Sequence, residues 1–162
     1  MSALGKGEET GENMGSSSFM ERALEQARLA EARGEVPIGA VLVHEGVVIA
    51  ADGNRTIELS DPTAHAEILV IRQACAKLSS QRLPQCDLYV TLEPCPMCAA
   101  AISFARIRRL YYAASDIKGG AVENGPCLFE QAICHHKPDI YSGFHESEAA
   151  TLLKEFFKEK RD

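Results

Sequence analysis

Apolar residues recur at Met20, Ala23, Leu24, Ala27 and Ala30, a spacing that lays them along one stripe of a helix. Ser18-Phe19-Met20-Glu21 has capping-box spacing at the front of that stripe, and Gly34 suits its C-terminal end, so a helix is expected from Ser18. Ile38-Gly39-Ala40-Val41-Leu42-Val43, then Gly46, then Val47-Val48-Ile49-Ala50 predicts two strands joined tightly as a hairpin, with Asp52-Gly53-Asn54 closing the second. Helical spacing returns at Ile68, Leu69, Ile71, Ala74, Cys75 and Leu78, which predicts a helix from Ala64 to about Leu78. Leu88-Tyr89-Val90-Thr91-Leu92 has the β-branched and aromatic content of a short buried strand. The chain then runs through Pro94-Cys95-Pro96-Met97-Cys98 into Ala99-Ala100-Ala101-Ile102, a helix whose first turn accepts Pro96 without losing a hydrogen bond. Arg109-Leu110-Tyr111-Tyr112-Ala113 predicts a fourth strand. Residues 117–142, with Gly, Pro and no steady period, are expected to be mostly loop, and a last amphipathic helix is expected from about Ser147, with Ala149, Leu152, Leu153, Phe156 and Phe157 on its apolar face.

Helix, hairpin, helix, strand, helix, strand, helix is an α/β order, which implies a small sheet with helices on both faces. The length of 162 residues suits one domain. Residues 1–17 are rich in Gly, Glu and Ser and too poor in apolar side chains to offset the entropy of ordering, so a disordered tail is expected there and a single domain from 18 to 162. A net charge of -6 is the wrong sign for broad attraction to phosphates, so nucleic-acid binding would need a local basic patch. Arg106, Arg108 and Arg109, and Lys154, Lys158, Lys160 and Arg161, are the groups available for one, and a solvated helix face explains them equally well. No apolar run approaches the roughly 20 residues of a membrane span. Six cysteines in a chain with this much core do not need a disulfide framework, and a cytoplasmic, reducing compartment is expected.

Two stretches carry chemistry. His65-Ala66-Glu67 opens one helix and Cys95-Pro96-Met97-Cys98 opens another. Two cysteines three apart in a first helical turn can present both sulfurs to one point, where the positive end of the helix favours the thiolate that metal binding needs. His65 supplies a third ligand as neutral imidazole, and zinc takes such a set tetrahedrally with its fourth position open to water, as catalytic sites require. Glu67 is not needed as a ligand and is placed to move protons. Each part alone has an ordinary reading: a cap for His65, a redox pair for Cys95 and Cys98, a partner of the helix dipole for Glu67. All of them together resemble the His-x-Glu and Pro-Cys-x-x-Cys signature of zinc nucleobase deaminases.

At Glu35-Val36-Pro37-Ile38-Gly39-Ala40-Val41, Asn54-Arg55, Asp61-Pro62-Thr63-Ala64-His65-Ala66-Glu67-Ile68 and Leu88 to Ala99 the chain closely resembles the bacterial tRNA-specific adenosine deaminases of the cytidine deaminase superfamily. The resemblance implies a three-layer fold with a central mixed sheet of about five strands and helices on both faces. It implies one Zn2+ per subunit on His65, Cys95 and Cys98, with Glu67 catalytic. It further implies substrate contacts from Asn54, Val36 and Asp116, a homodimer, no membrane, and a tRNA anticodon loop as partner whose wobble adenosine becomes inosine. Read without the resemblance, Asn54 is equally a turn residue. The chain departs from the family pattern between residues 117 and 145, where Cys134-His135-His136 would be a surface or packing feature more readily than a second metal site. A deaminase of free guanine or cytosine is the nearest alternative. A closed structural zinc site, with Cys127 or His44 as fourth ligand, is the alternative from another class.

Overall fold

The computed structural model describes the backbone of residues 2–161 and the side chains of residues 15–160. Five strands form one mixed sheet in the order β2-β1-β3-β4-β5. The strands are β1 (Gly39–His44), β2 (Val47–Gly53), β3 (Cys86–Leu92), β4 (Arg109–Ala114) and β5 (Asp139–Ser142), and the helices are α1 (Ser2–Ala32), α2 (Ala66–Leu78), α3 (Pro96–Phe104) and α4 (Glu146–Arg161). β1 runs antiparallel to both β2 and β3, whereas β3, β4 and β5 are parallel.

α1 is broken at Gly15, where φ is 51° and ψ is -172°, and its packed stripe of Phe19, Met20, Ala23, Leu24, Ala27 and Ala30 lies beyond the break. The expected tail over residues 1–17 falls mostly outside the residues whose side chains are described. α1 ends as expected at Gly34, with Gly34 N–H bonding Glu31 O and Glu35 N–H bonding Ala30 O, which is a Schellman cap. The β1–β2 turn is Glu45-Gly46, both at positive φ (51° and 77°), the conformation whose twist matches a two-residue hairpin. α1 lies so close over this hairpin that a Cβ on Gly39 would meet Ala23 O at 2.1 Å and one on Gly53 would meet Gln26 O at 2.6 Å.

Both faces of the sheet are covered, so the inner strands read as continuous apolar runs. Alternate residues feed two cores. Ala40, Leu42, Leu88, Val90, Leu110 and Tyr112 point to the side of α2 and α3, and Val41, Val43, Tyr89 and Ala113 to the side of α1 and α4. On the α1 and α4 side, a ladder of aromatic rings crosses three strands: Tyr89 stacks on Tyr111 at 4.3 Å between centroids, and Tyr111 on Tyr141 at 4.9 Å. Phe19 closes on Tyr89 and Phe144 on Tyr111.

Two differences from the sequence expectations concern strands. β3 begins at Cys86, two residues before the expected Leu88, because Cys86 and Asp87 pair with His44 and Val43 of β1. Residues 139–142, expected as loop, form β5, an edge strand of which only Ile140 is partly buried. Its pairing to β4, Arg109 with Asp139 through Tyr112 with Ser142, is non-local and leaves no periodic signal.

Candidate metal centre and active site

The site lies where β3 hands over to α3, at the C-terminal end of parallel strands, the usual ligand position in open α/β sheets. His65 and Cys95 are the N-cap residues of α2 and α3, and neither caps its helix with its side chain. The orphan N–H at the front of α2 is met instead by Asn54, whose Oδ1 accepts from Ala66 at 2.9 Å. The His65 ring is thereby free to turn Nδ1 toward the sulfurs, 3.6 Å from Cys95 Sγ and 3.5 Å from Cys98 Sγ. Two helix N-termini thus converge on one point, and their dipoles favour thiolate there.

The donor set fits zinc. The three ligand atoms lie within 4.8 Å of one another. Zn–S of about 2.3 Å and Zn–N of about 2.0 Å at tetrahedral angles require S to N edges of about 3.5 Å, which matches the two Nδ1 to Sγ distances. Among the described residues no other group of three metal-ligating side chains occurs. His44 sits at the far end of β1, paired with Cys86, and Cys127 caps the 3-10 turn Leu128–Glu130, so neither joins the triad and the closed structural site is not formed. His136 Nε2 donates to Ile107 O, and Cys134 contacts Ser103, which is a packing role.

The ionisation pattern is that of a metal site. Cys95 is pulled down to about 4, first by the Cys98 thiol and then, against burial, by His65. Cys98 is pushed up by the same contact and by burial, so the pair shares a single thiolate until a cation is supplied. His65 is raised by its hydrogen bond to Cys95. Glu67, 4% exposed, is raised to about 7 by burial, and it lies close enough to Cys98 for each to affect the other.

The residues expected to contact substrate fall into two groups. Asn54 is fixed from three sides: its N–H bonds Ile38 O, its carbonyl accepts from Arg33 at 3.1 Å, and Oδ1 holds Ala66. Its Nδ2 is the end left to donate. Val36, half-buried, lies in the same stretch, since Val36 O accepts from Ile38 N–H, and the neighbouring Glu35 carboxylate holds the amides of Ile57 and Glu58. Asp116 is half-buried beyond β4, with its N–H on Glu93 and its Oδ1 accepting from Gly119 at 2.9 Å. The sequence placed Glu35, Arg55 and Glu93 in the matching stretches but gave them no role. Arg55 pairs with Asp52 at 2.7 Å and with Glu58 at 2.9 Å and so stiffens the turn that presents Asn54. Of the basic groups, Arg108 forks onto Asp87 and Arg109 joins it, at the end of the sheet opposite the metal ligands.

A family model described as MafB19-like deaminase matches residues 14–161. The chain is 68% identical over 143 residues to the tRNA-specific adenosine deaminase of Agrobacterium fabrum, covering 88% of this chain and 94% of that one. The chain belongs to the tRNA-specific adenosine deaminase family. The Bacillus subtilis tRNA-specific adenosine deaminase is 43% identical, with 88% of this chain and 89% of that one covered. A solved structure from work on A-to-I editing by tRNA:A34 deaminases superposes with a TM-score of 0.83 at 69% identity, covering 83% of this chain and 98% of that one. Guanine deaminase from Nitrosomonas europaea shares the fold at a TM-score of 0.76 and 27% identity, covering 87% of this chain and 84% of that one. This chain thus carries the family's fold around a triad fit to hold zinc. Among the described residues no helix is long and apolar enough to cross a membrane.

Proposed function

We propose that this chain hydrolyses adenosine to inosine at the wobble position of a tRNA anticodon, releasing ammonia. The observation that carries the choice of substrate is the 68% identity to a tRNA-specific adenosine deaminase across nearly the whole of both chains, against 27% and 36% to guanine deaminases.

His65, Cys95 and Cys98 would hold the zinc, one per subunit. Bound there, zinc supplies the Lewis acidity that brings the pKa of a water toward neutrality. The protein's own work is done by Glu67. Burial lifts the Glu67 carboxyl above its ordinary range, and a carboxyl so placed takes up a proton and gives it back. Glu67 takes one proton of the attacking water and delivers it to a purine ring nitrogen, then takes the second from the new hydroxyl and gives it to the amine, which departs as ammonia while the carbonyl forms. Asn54, with Oδ1 committed to Ala66, offers Nδ2 to an acceptor on the base, while Val36 walls the same side and Asp116 the other. Extruding the base costs least from a single-stranded loop, which favours an anticodon loop over duplex RNA.

Lys154 and Lys158 are exposed on α4, and Ala150, Leu153 and Phe157 of that helix meet Leu92 and Asp116 across a cleft at the same end of the sheet, a placement that suits a phosphate backbone. We also infer a homodimer. Phe104 and Ile133 are 75% and 79% exposed beside an apolar hollow between α3 and the 128–135 segment, a face that a second copy would cover. A cytoplasmic site of action and a single catalytic domain over residues 18–162 complete the reading; six free thiols accord with a reducing compartment.

The test is deamination of an anticodon stem-loop carrying adenosine at the wobble position, beside free guanine, cytosine and adenosine, with Glu67→Ala as control. Inosine formed in the stem-loop alone, and abolished by the substitution, is the expected result. Turnover of guanine with none on RNA would overturn the substrate assignment while keeping the zinc chemistry.

A further inference from the structure

Glu93 is the last residue but one before the first cysteine ligand, and it is 2% exposed. Among the described residues no cation pairs with it. Every hydrogen bond to its carboxylate comes from one loop, residues 116–124. Oε1 accepts from the Asp116 amide at 3.0 Å and from Asn124 Nδ2 at 2.7 Å. Oε2 accepts from the amides of Val122, Glu123 and Asn124 at 3.0, 3.0 and 3.1 Å.

The loop is wrapped onto this group at close range. A Cβ on Gly120 would lie 2.5 Å from Glu93 Cδ, so only glycine lets the backbone pass. Ala121 N–H also bonds Pro94 O at 2.9 Å, which brings the loop against the residue before Cys95. The cysteine ligands have a separate hold: Glu93 N–H bonds Ala114 O, and Ala99 N–H bonds Cys95 O at the start of α3. Loss of the carboxylate should therefore loosen the loop, which keeps its bond from Ala121 N–H to Pro94 O, without releasing the cysteines. The loop begins at Asp116, which with Leu92, Ala114 and Ser115 faces Ala150, Leu153 and Phe157 of α4 across a cleft of about 260 Å³.

We propose that Glu93 is a positioning residue that fixes the 116–124 loop, and with it Asp116, as one wall of the substrate cleft. It neither holds the metal nor exchanges protons with the base. The inference deepens the RNA deaminase reading and rests on it for the substrate used in the test.

The experiment compares zinc-loaded wild type with Glu93→Gln by metal content, by hydrogen exchange of the 116–124 amides, and by kcat and KM on the anticodon stem-loop. The amide keeps one acceptor and turns the other into a donor, so its best orientation retains the three amides at Oε2 and sets an NH2 group against Asp116 N–H and Asn124 Nδ2. One zinc per chain, loop exchange faster by about tenfold, and a KM raised about tenfold with kcat within about threefold are expected. Adding Asn124→Asp supplies an acceptor for that NH2 group and should recover most of the KM. Asn124→Ala, which removes one bond of five, should shift exchange and KM in the same direction by about two- to threefold. Unchanged loop exchange, loss of zinc, or a fall in kcat at constant KM would each overturn the proposal. If wild type itself fails on RNA, the substrate reading falls, while exchange and zinc content still decide whether Glu93 holds the loop.

Discussion

A nearly buried carboxylate stands at each end of β3, Asp87 just inside its start and Glu93 just past its last residue, and the two are neutralised in opposite ways. Asp87, 7% exposed, takes Nε and Nη2 of Arg108 at 3.0 Å each, with Arg109 at 3.5 Å. Glu93, 2% exposed, is held by backbone amides and one carboxamide. Burying a carboxylate is costly unless its lone pairs are met, and either solution meets them. They differ in net charge. A guanidinium at the site end would repel a dication on the neighbouring triad, whereas amide dipoles stabilise the carboxylate without adding a cation. Burial works against ionisation of Glu93, yet the amides of Asp116, Val122 and Glu123 and the Asn124 side chain outweigh it and hold the carboxyl below its ordinary range.

The contrast is broken most severely at the metal end. Cys98→Ala removes one of three ligands and is expected to abolish zinc retention and lower inosine formation by more than about 10³-fold, read by elemental analysis and a deamination assay. Retention of full activity would remove the metal from the mechanism. Next comes Gly120→Ala, whose new Cβ meets Asp116 O and Glu93 Cδ, each at 2.5 Å. Overpacking of this kind should cost about 1–3 kcal/mol in urea unfolding and weaken binding of the stem-loop. At the opposite end, Asp87→Asn should lower stability by roughly 1–2 kcal/mol, discounted for the exposure of both arginines, with zinc content and kcat/KM unaltered. A drop in activity there would mean that the two ends of β3 are coupled.

The smallest effect concerns Glu67 in protein stripped of metal. Its folded pKa, about 7, lies above the ordinary carboxylate value, so between that value and 7 the native state binds a proton that the unfolded chain has released. Its contribution is therefore greatest at the acid end of this window and declines as pH rises through it. Glu67→Gln should flatten the dependence and stabilise the stripped protein above pH 7, on the order of 1 kcal/mol. Denaturant midpoints at pH 5 and pH 8 measure it, and an equal pH slope in both proteins would refute the buried-acid assignment.

The helices, the hairpin and the two inner parallel strands were legible because each carries its own periodicity or turn chemistry. β5 was not. Four residues with one partly buried side chain have no period, and their strand identity comes from lying beside β4. The triad was legible because its ligand spacing is local to two helix starts. Glu93 was not, since its partners are mostly backbone N–H groups, which every residue but proline possesses. Only Gly119-Gly120 marks the close approach, and a glycine pair in a loop ordinarily signals a turn. Arg108 and Arg109 show the reverse case, two basic residues drawn onto Asp87 at the far end of the sheet, while Arg106 bonds Ser103 O.

The aromatic ladder gives the molecule a one-sided optical signature. The chain has no tryptophan and four tyrosines, and three of these, Tyr89, Tyr111 and Tyr141, are stacked together on the α1 and α4 side of the sheet. Near-ultraviolet circular dichroism and tyrosine emission are therefore dominated by coupled rings on the layer that faces away from the zinc ligands. A spectroscopic melt reports the undoing of that layer, and comparing it with the release of metal measures whether the two sides of the sheet come apart as one unit.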